Sequence, residues 1–307
     1  MNKHFYQKKG LAIEQIANEL YQLKKGDRMP NISEFQTQFS LSRGTVQNAL
    51  KFLKEEQAIE TESKGHLGTY LKMINHQVLL PYISSRQLSA TMPLPYSRLY
   101  EGLATGLYTA FRDKNIKLNL AYIRGSEERI RAVEEGVFDF AVVSRFAAQY
   151  EIDKGRAIKI IMQFGEQTYL SRHVLLFRQG VEQIMRDGLR VGIDTDSLDH
   201  KLLTNEITEG FDVENVDLPS NQLIYGLRES QIDAGVWNYD EIIDKRLEDV
   251  QFTELPVKNH HKEMSEAVII CQKENTLVSS TLKRTLNVNQ IRDIQSQVKN
   301  GHMTPRY

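Results

Sequence analysis

The chain has 307 residues, 40% of them hydrophobic, and a formal net charge of −1. That length allows two or three compact units, each with its own core. No stretch approaches the roughly 18 apolar residues of a membrane span. The opening MNKHFYQKKG carries charge with no apolar run behind it, so a soluble, cytoplasmic chain without a membrane partner is expected. The only cysteine, Cys271, excludes an internal disulfide, and its apolar surroundings at 267–271 read as a buried structural thiol. The near-neutral total hides an asymmetry. Up to Asn75 there are eleven Lys and Arg against eight Asp and Glu; beyond it, twenty-eight against thirty-two. The basic part is small and comes first.

In chain order, Ile13, Ile16, Ala17 and Leu20 recur at helical spacing and stop before Gly26-Asp27 and Pro30. Asn31 followed by Glu34 is a capping-box start, with Ile32, Phe35 and Phe39 as the buried stripe of a second helix. Ser42 caps a third. Val46, Ala49, Leu50 and Leu53 share one arc of that helix, which leaves Arg43, Gly44, Thr45, Gln47, Asn48 and Lys51 outward on a face without an acid. Residues 58–62 and 68–72 read as strands joined by a Ser63-Lys64-Gly65-His66 turn. Three helices and a hairpin make a winged helix-turn-helix over 1–75, and 73–77 reads as a short connection.

A third helix of this size and chemistry suits a DNA major groove, with the wing on the backbone. Ser42 and Thr45 would bond phosphate, Arg43, Gln47 and Asn48 would read bases, and Lys51, Lys64 and His66 complete the expected DNA-binding set. The stretch KKGDRMPNISEFQTQFSLSRGTVQNALKFLKEEQAIETESKGHLGTYL resembles the GntR type of winged helix. Gly26, Asp27, Pro30, Ser42, Arg43, Thr45, Val46, Ala49, Leu50, Gly68 and Thr69 match that pattern in order. Ser33 and Gln47 stand where the type has arginine, so its usual operator sequences do not carry over. The resemblance implies a homodimer on double-stranded operator DNA.

The remaining two thirds contain a repeat. EEGVFDFAVVS (134–144) aligns with RESQIDAGVWN (228–238), and Asp139 and Asp233 take the same place in each copy. Upstream, a strand at 87–92 precedes a helix from Ser97, and a strand at 189–193 precedes a helix from Leu198, so each copy is a βαβαβ lobe. A strand at 267–271 returns to the first lobe, and a C-terminal helix follows near 282–298. The expected fold class is α/β: a winged helix-turn-helix, then a two-lobed domain over 76–307 resembling the type 2 periplasmic-binding fold. Lobe 1 would take about 76–170 and 262–307, lobe 2 about 171–261.

Open parallel sheets bind ligands beyond the carboxyl ends of their strands, so a two-lobed version binds them between its lobes. The loops there supply the candidate ligand-binding residues: Pro95, Tyr96, Ser97, Arg98, Arg124, Ser144 and Arg145 from the first lobe, Asp194, Thr195, Ser197, Trp237 and Asn238 from the second. Pro93 and Pro95 fix the loop that opens the helix at Ser97. Gly102, Ala104 and Gly106 would let that helix pack closely on the sheet. Three arginines at strand ends predict a small anionic effector, and Asp194 and Asp196 opposite them predict that it also carries hydroxyl or amine groups.

With MPLPYSRLYEGLATGL and FDFAVVSRFAA in the body, nearly the whole chain resembles the YhfZ family of proposed transcriptional regulators, which implies DNA binding plus a sensor domain. The same body fold also hosts enzymes, so the alternative is an enzyme tethered to a DNA-binding head. Ser144-Arg145-Phe146 is similar to the Thr-Arg-Phe of prephenate dehydratases but ends a first-lobe strand, away from where that motif belongs. No GxSxG, Walker loop or GxGxxG occurs. His260-His261 with Glu263 reads as solvated loop histidines, because adjacent side chains diverge. No catalytic residue, metal or cofactor is therefore expected.

Overall fold

The structure is a computed structural model that describes residues 3–83, 87–256 and 258–307. It divides into two compact units: 1–88 with 112–117 and 275–284, and 89–111 with 118–274 and 285–307. No described helix is long and apolar enough to cross a membrane.

The first unit opens with α1 (Lys3–Tyr21), which buries Ile13, Ile16, Ala17 and Leu20. β1 (Arg28–Met29) leads to α2 (Ile32–Phe39). There the capping box is complete: Glu34 N donates to Asn31 Oδ1 at 3.0 Å, and Asn31 N donates to Glu34 Oε2 at 2.5 Å. Two amides that no helical carbonyl can reach are thereby satisfied. α3 (Arg43–Glu55) starts from Ser42, whose Oγ accepts from Thr45 N at 3.3 Å, and buries Val46, Ala49, Leu50 and Leu53. Each such fully buried Leu or Val side chain contributes about 1.5–3 kcal/mol. β2 (Ile59–Ser63) and β3 (Thr69–Ile74) form the wing, in a sheet of order β1-β3-β2. The wing is followed by structure rather than slack chain: Asn75 caps α4 (His76–Leu79), His76 Nε2 lies 3.0 Å from Leu23 O, and Leu79 and Ile83 enter the same core.

The second unit contains two sheets of the same design. Its first lobe runs β4 (Gln87–Met92), α5 (Arg98–Asp113), β5 (Lys117–Tyr122), α6 (Ser126–Glu134), β6 (Phe140–Ser144), α7 (Arg145–Asp153) and β7 (Ile158–Gln163). After β8 (His173–Phe177), the second runs β9 (Arg190–Ile193), α8 (Leu198–Thr208), β10 (Glu214–Asp217), α9 (Leu223–Arg228), β11 (Ala234–Asn238), α10 (Tyr239–Asp244) and β12 (Gln251–Glu254). α11 (Asn259–Ser265) then leads to β13 (Ala267–Gln272). The strand orders are β5-β4-β6-β13-β7 and β10-β9-β11-β8-β12. In each sheet the fourth strand is antiparallel to both neighbours, β13 in the first lobe and β8 in the second. The sequence reading had a returning β13 but no β8.

The repeated aspartates do the same work in both lobes. Asp139 Oδ2 accepts from Ser89 N at 2.7 Å while Asp139 N donates to Ser89 O at 2.9 Å. Asp233 Oδ2 accepts from Arg190 N at 3.0 Å while Asp233 N donates to Arg190 O at 2.7 Å. Each carboxylate thus pins the turn before one strand to the start of its neighbour, where backbone groups would otherwise lack partners.

The single C-terminal helix expected near 282–298 is two, α12 (Thr276–Thr285) and α13 (Val288–Lys299). The break falls at Asn287, whose Oδ1 accepts from Asn289 N and Gln290 N. Nearly all of α12 belongs to the first unit: Leu277 packs on its core, Ser280 Oγ donates to Gln22 Oε1 at 2.7 Å, and the Arg284 guanidinium lies 4.9 Å from the Tyr21 ring centre. α13 belongs to the second unit and packs against α5 at its glycines. A Cβ on Gly102 would come within 2.8 Å of Gln295 O, and one on Gly106 within 2.9 Å of Ile291 Cγ2. The close approach is therefore to α13 and not to the sheet. Gly102→Ala, facing rigid backbone, is expected to destabilise the second unit by about 1–3 kcal/mol. A lowered Tm on thermal unfolding checks this, and an unchanged Tm contradicts it.

Candidate functional site

On α3, Arg43, Gln47 and Asn48 are exposed, and Thr45 is half-buried. Ser42 Oγ lies 2.8 Å from Thr45 Oγ1, so the two hydroxyls are tied to each other at the helix start. Lys51 is exposed but has a partner, Glu55, at 3.7 Å. In the wing, Lys64 Nζ sits 4.7 Å from the Tyr70 ring centre, and His66 is exposed in the Gly65–Leu67 turn. Among the described residues neither Arg43 nor Lys64 makes an ion pair. These side chains form a donor-rich surface on which, among the described residues, Arg43 and Lys64 are not neutralised from within, while Lys51 is paired.

In the second unit the loops at the strand ends enclose a cavity of about 60 Å³. Of the candidate residues, Tyr96, Arg124, Ser197, Trp237 and Asn238 line it. The others have different surroundings. Pro95 and Ser97 lie beside the lining, and Ser97 Oγ accepts from Tyr100 N at 3.4 Å. Arg98 is exposed, and its amide donates to Asp244 Oδ2 at 2.7 Å. Ser144 caps α7. Arg145 pairs with Glu266 at 3.2 Å and Glu263 at 3.8 Å. Thr195 donates to Asp217 Oδ1 at 3.2 Å. Asp194 and Asp196 hold Arg124 across the cleft, at 2.9 and 2.5 Å. Burial opposes charge on Asp194, yet Ser220, His200 and Arg124 hold its carboxyl below the usual carboxylate range. Gly125, at φ 76°, lets the lobes meet there, since a Cβ would come within 2.7 Å of Asp196 O.

A second cation on the cavity wall, beside the ion-paired Arg124, is Arg129, 3% exposed. It donates to Ile123 O at 2.6 Å, Val142 O at 3.2 Å and Tyr169 Oη at 2.9 Å, and among the described residues no carboxylate pairs with it. A guanidinium has five N–H groups, so part of its donor capacity remains free. Further lining residues hold buried polar atoms without a hydrogen-bond partner among the described residues, including Asp199 Oδ1 and Asn238 Nδ2. Around them runs an aromatic wall. Tyr96 and His200 flank Trp237 at 6.0 and 5.6 Å between ring centres, His173 lies 5.3 Å from His200, and Tyr100 lies 5.2 Å from Tyr169.

Burial governs the protonation of these groups. It pushes the Tyr96 phenol up to about 12, with Glu241 adding to the shift, and raises Tyr100 and Tyr169, so all three remain hydroxyl donors. It lowers His173 well below the ordinary imidazole range and lowers His200 too, so both rings are neutral at pH 7. Asp199 is raised to about 7 by burial, against opposing pulls from Ser144 and Arg129.

Sequence reasoning missed Arg129, Asp199, Tyr100, Tyr169, His173 and His200. Arg129 was detectable: it shares the buried stripe of α6 with Ser126, Ile130 and Val133, an unusual place for an arginine. Asp199 lies in the first turn of α8, where an acid is unremarkable, so its burial left no trace. His260 and His261 are on α11 and not in a loop; 25% and 21% exposed, they face Glu206 and not Glu263.

Fold and site together define a winged helix-turn-helix protein that carries a two-lobed unit of the periplasmic-binding type. Residues 24–71 match a helix-turn-helix domain model, and residues 75–307 match the model of the YhfZ C-terminal domain. The chain belongs to the YhfZ family. It is 32% identical over 308 residues to the YhfZ protein of Escherichia coli (strain K12), covering all of both chains. It is similar to the crystal structure of YhfZ from Shigella flexneri, with 31% identity, a TM-score of 0.61, and coverage of 75% of this chain and 97% of that one. At 14% identity and a TM-score of 0.52, the amino-acid ABC transporter substrate-binding protein AbpA of Streptococcus pneumoniae, bound to L-arginine, shares the fold over 71% of this chain and 94% of its own.

The protonation of Asp199 makes a stability prediction. With its folded pKa raised to about 7 from 3.8, the native state holds a proton that the unfolded chain loses between those values. Stability from this group is therefore greatest near pH 4, falls as pH rises towards 7, and is flat above. Asp199→Asn removes the dependence, so its Tm relative to wild type should rise between pH 5 and pH 8. A difference that does not change with pH contradicts the assignment.

Proposed function

We propose that this chain is a ligand-responsive transcriptional regulator: the first unit binds operator DNA, and the second senses a small metabolite in its cleft. The observation that carries the reading is Arg129, a buried guanidinium with no carboxylate partner among the described residues, facing a cavity that also holds Asp199 Oδ1 and Asn238 Nδ2. Burying a charge against neutral acceptors alone is costly, and an anionic ligand would offset that cost. The chemistry implied is a carboxylate against Arg129 with amine or hydroxyl groups towards Asp199. The apolar part would lie along Tyr96 and Trp237.

This reading keeps the anionic, mixed polar effector expected from the sequence and moves its anchor to Arg129. Arg124 becomes a latch between the lobes, bridging Asp194 and Asp196. A cavity of about 60 Å³ corresponds to a handful of water-sized spheres, which favours a small metabolite over a polymer end.

For the first unit, Arg43, Gln47 and Asn48 are proposed to read base edges. Lys64 and His66 would meet the phosphate backbone from the wing, and Ser42, Thr45 and Lys51 would supplement them. Two copies in a homodimer would meet two half-sites. The units are continuous through several chain crossings, including the two that flank α12, so closure of the lobes has covalent routes to the DNA-binding unit.

DNA binding is tested on the upstream DNA of the chain's own gene at fixed salt. Arg43→Ala should cost about 1–3 kcal/mol and relax specificity at one position, whereas Lys64→Ala should weaken all sequences alike and reduce the slope of affinity on salt. Wild-type affinity in Arg43→Ala contradicts the assignment of α3 as the reading helix.

A further inference from the structure

Away from the cleft, Glu206 on α8 and the adjacent His260 and His261 on α11 come together. His260 Nε2 is 3.0 Å from Glu206 Oε1, and His261 Nε2 is 3.8 Å from Glu206 Oε2. One ligand atom from each of the three lies within 4.8 Å of the others. Both Nε2 atoms are buried, and the Glu206 carboxylate is the close polar group that each faces. The two rings meet edge to face with centres 4.8 Å apart, so these neighbours in sequence do not diverge. We propose that Glu206, His260 and His261 hold a divalent transition-metal ion of the zinc type.

Two imidazoles and one carboxylate are a donor set suited to such an ion and poorly suited to calcium or magnesium, which prefer all-oxygen ligation. Around a tetrahedral ion with bonds of about 2.0–2.1 Å, ligand atoms stand about 3.4 Å apart. The observed 3.0 and 3.8 Å bracket that value, and all three ligand atoms lie within 4.8 Å of one another, so the set has to contract only at its longest edge to close around an ion. The set leaves coordination positions for water or a small ligand, and a cavity of about 260 Å³ lined by Glu206, His261, Leu203 and Leu255 adjoins it.

One group opposes the ion: Lys258 Nζ, 3.3 Å from Glu206 Oε2. Its side chain is 46% exposed, and its ammonium can swing into solvent when a dication takes the carboxylate. The consequence of binding would be mechanical. α11 also packs on α7 of the first lobe, where the His260 and Phe146 ring centres are 5.9 Å apart. An ion joining α11 to Glu206 would tie that contact to α8 of the second lobe and stiffen the lobe junction. This inference is independent of DNA binding and of the cleft ligand.

The test uses the full-length, tag-free chain, stripped with chelator and titrated with Co²⁺ as a spectroscopic probe and then with Zn²⁺ as competitor. One equivalent per chain is expected, with the strong visible absorption of four- or five-coordinate cobalt that zinc abolishes. Loss of one ligand in His260→Ala, His261→Ala or Glu206→Gln should weaken binding by at least about tenfold, with near-ultraviolet circular dichroism showing that the metal-free variants are folded. Lys258→Met, at an exposed position, should tighten it. Absence of saturable Co²⁺ or Zn²⁺ binding at micromolar concentrations overturns the site. So does wild-type affinity in the histidine variants, or in Lys258→Met.

Discussion

A guanidinium buried among carbonyls is the constraint around which the second unit is organised. Arg129 spends its hydrogen bonds on Ile123 O after β5, Val142 O in β6 and Tyr169 Oη, three points that the chain reaches separately. It thereby fixes the start of α6 against the carboxyl ends of two first-lobe strands. It also places a positive charge on the cavity wall without neutralising it. Removing such a group would leave backbone acceptors unsatisfied, and keeping it leaves a charge in want of a counter-ion. In the proposed function, structure and recognition would rest on the same side chain.

Protonation in the cleft follows from that arrangement. Burial keeps His173 and His200 neutral and the phenols protonated, so the wall is rich in dipoles and poor in mobile charge. Asp199, raised to about 7, is the group whose charge is most easily set by what binds beside it. An ammonium or hydroxyl donor would favour its ionised form, and the carboxylate so formed would in turn strengthen the field around Arg129. A ligand carrying both signs satisfies both groups, whereas a bare dianion leaves Asp199 opposed.

Much of this was legible in the sequence because it is local. Asn31-x-x-Glu34 and Ser42 cap the helices they were expected to cap, since a cap needs only residues a few positions apart. The repeat was visible because Asp139 and Asp233 solve the same local problem at the same strand. What was not legible is long-range. Arg98, Arg124 and Arg145 sit at strand ends as read, but Asp194, Asp196, Glu263 and Glu266 arrive from distant parts of the chain to pair with two of them. The destination of α12, the fourth-strand place of β8, and the meeting of Glu206 with His260 and His261 likewise depend on contacts that no window of sequence contains.

The central claim is that cleft and operator are coupled, and linkage gives its direct test. Trp237 is the only tryptophan in the chain and lines the cavity, so its fluorescence reports ligand binding without a label. Free amino acids and hydroxy acids are titrated into the full chain, and the Kd of whichever shifts that signal is measured with and without saturating operator DNA. The account predicts that operator changes the ligand's Kd by the same factor as the ligand changes the operator's, in the range of about 5 to 150. Identical ligand affinity in the two conditions would contradict it.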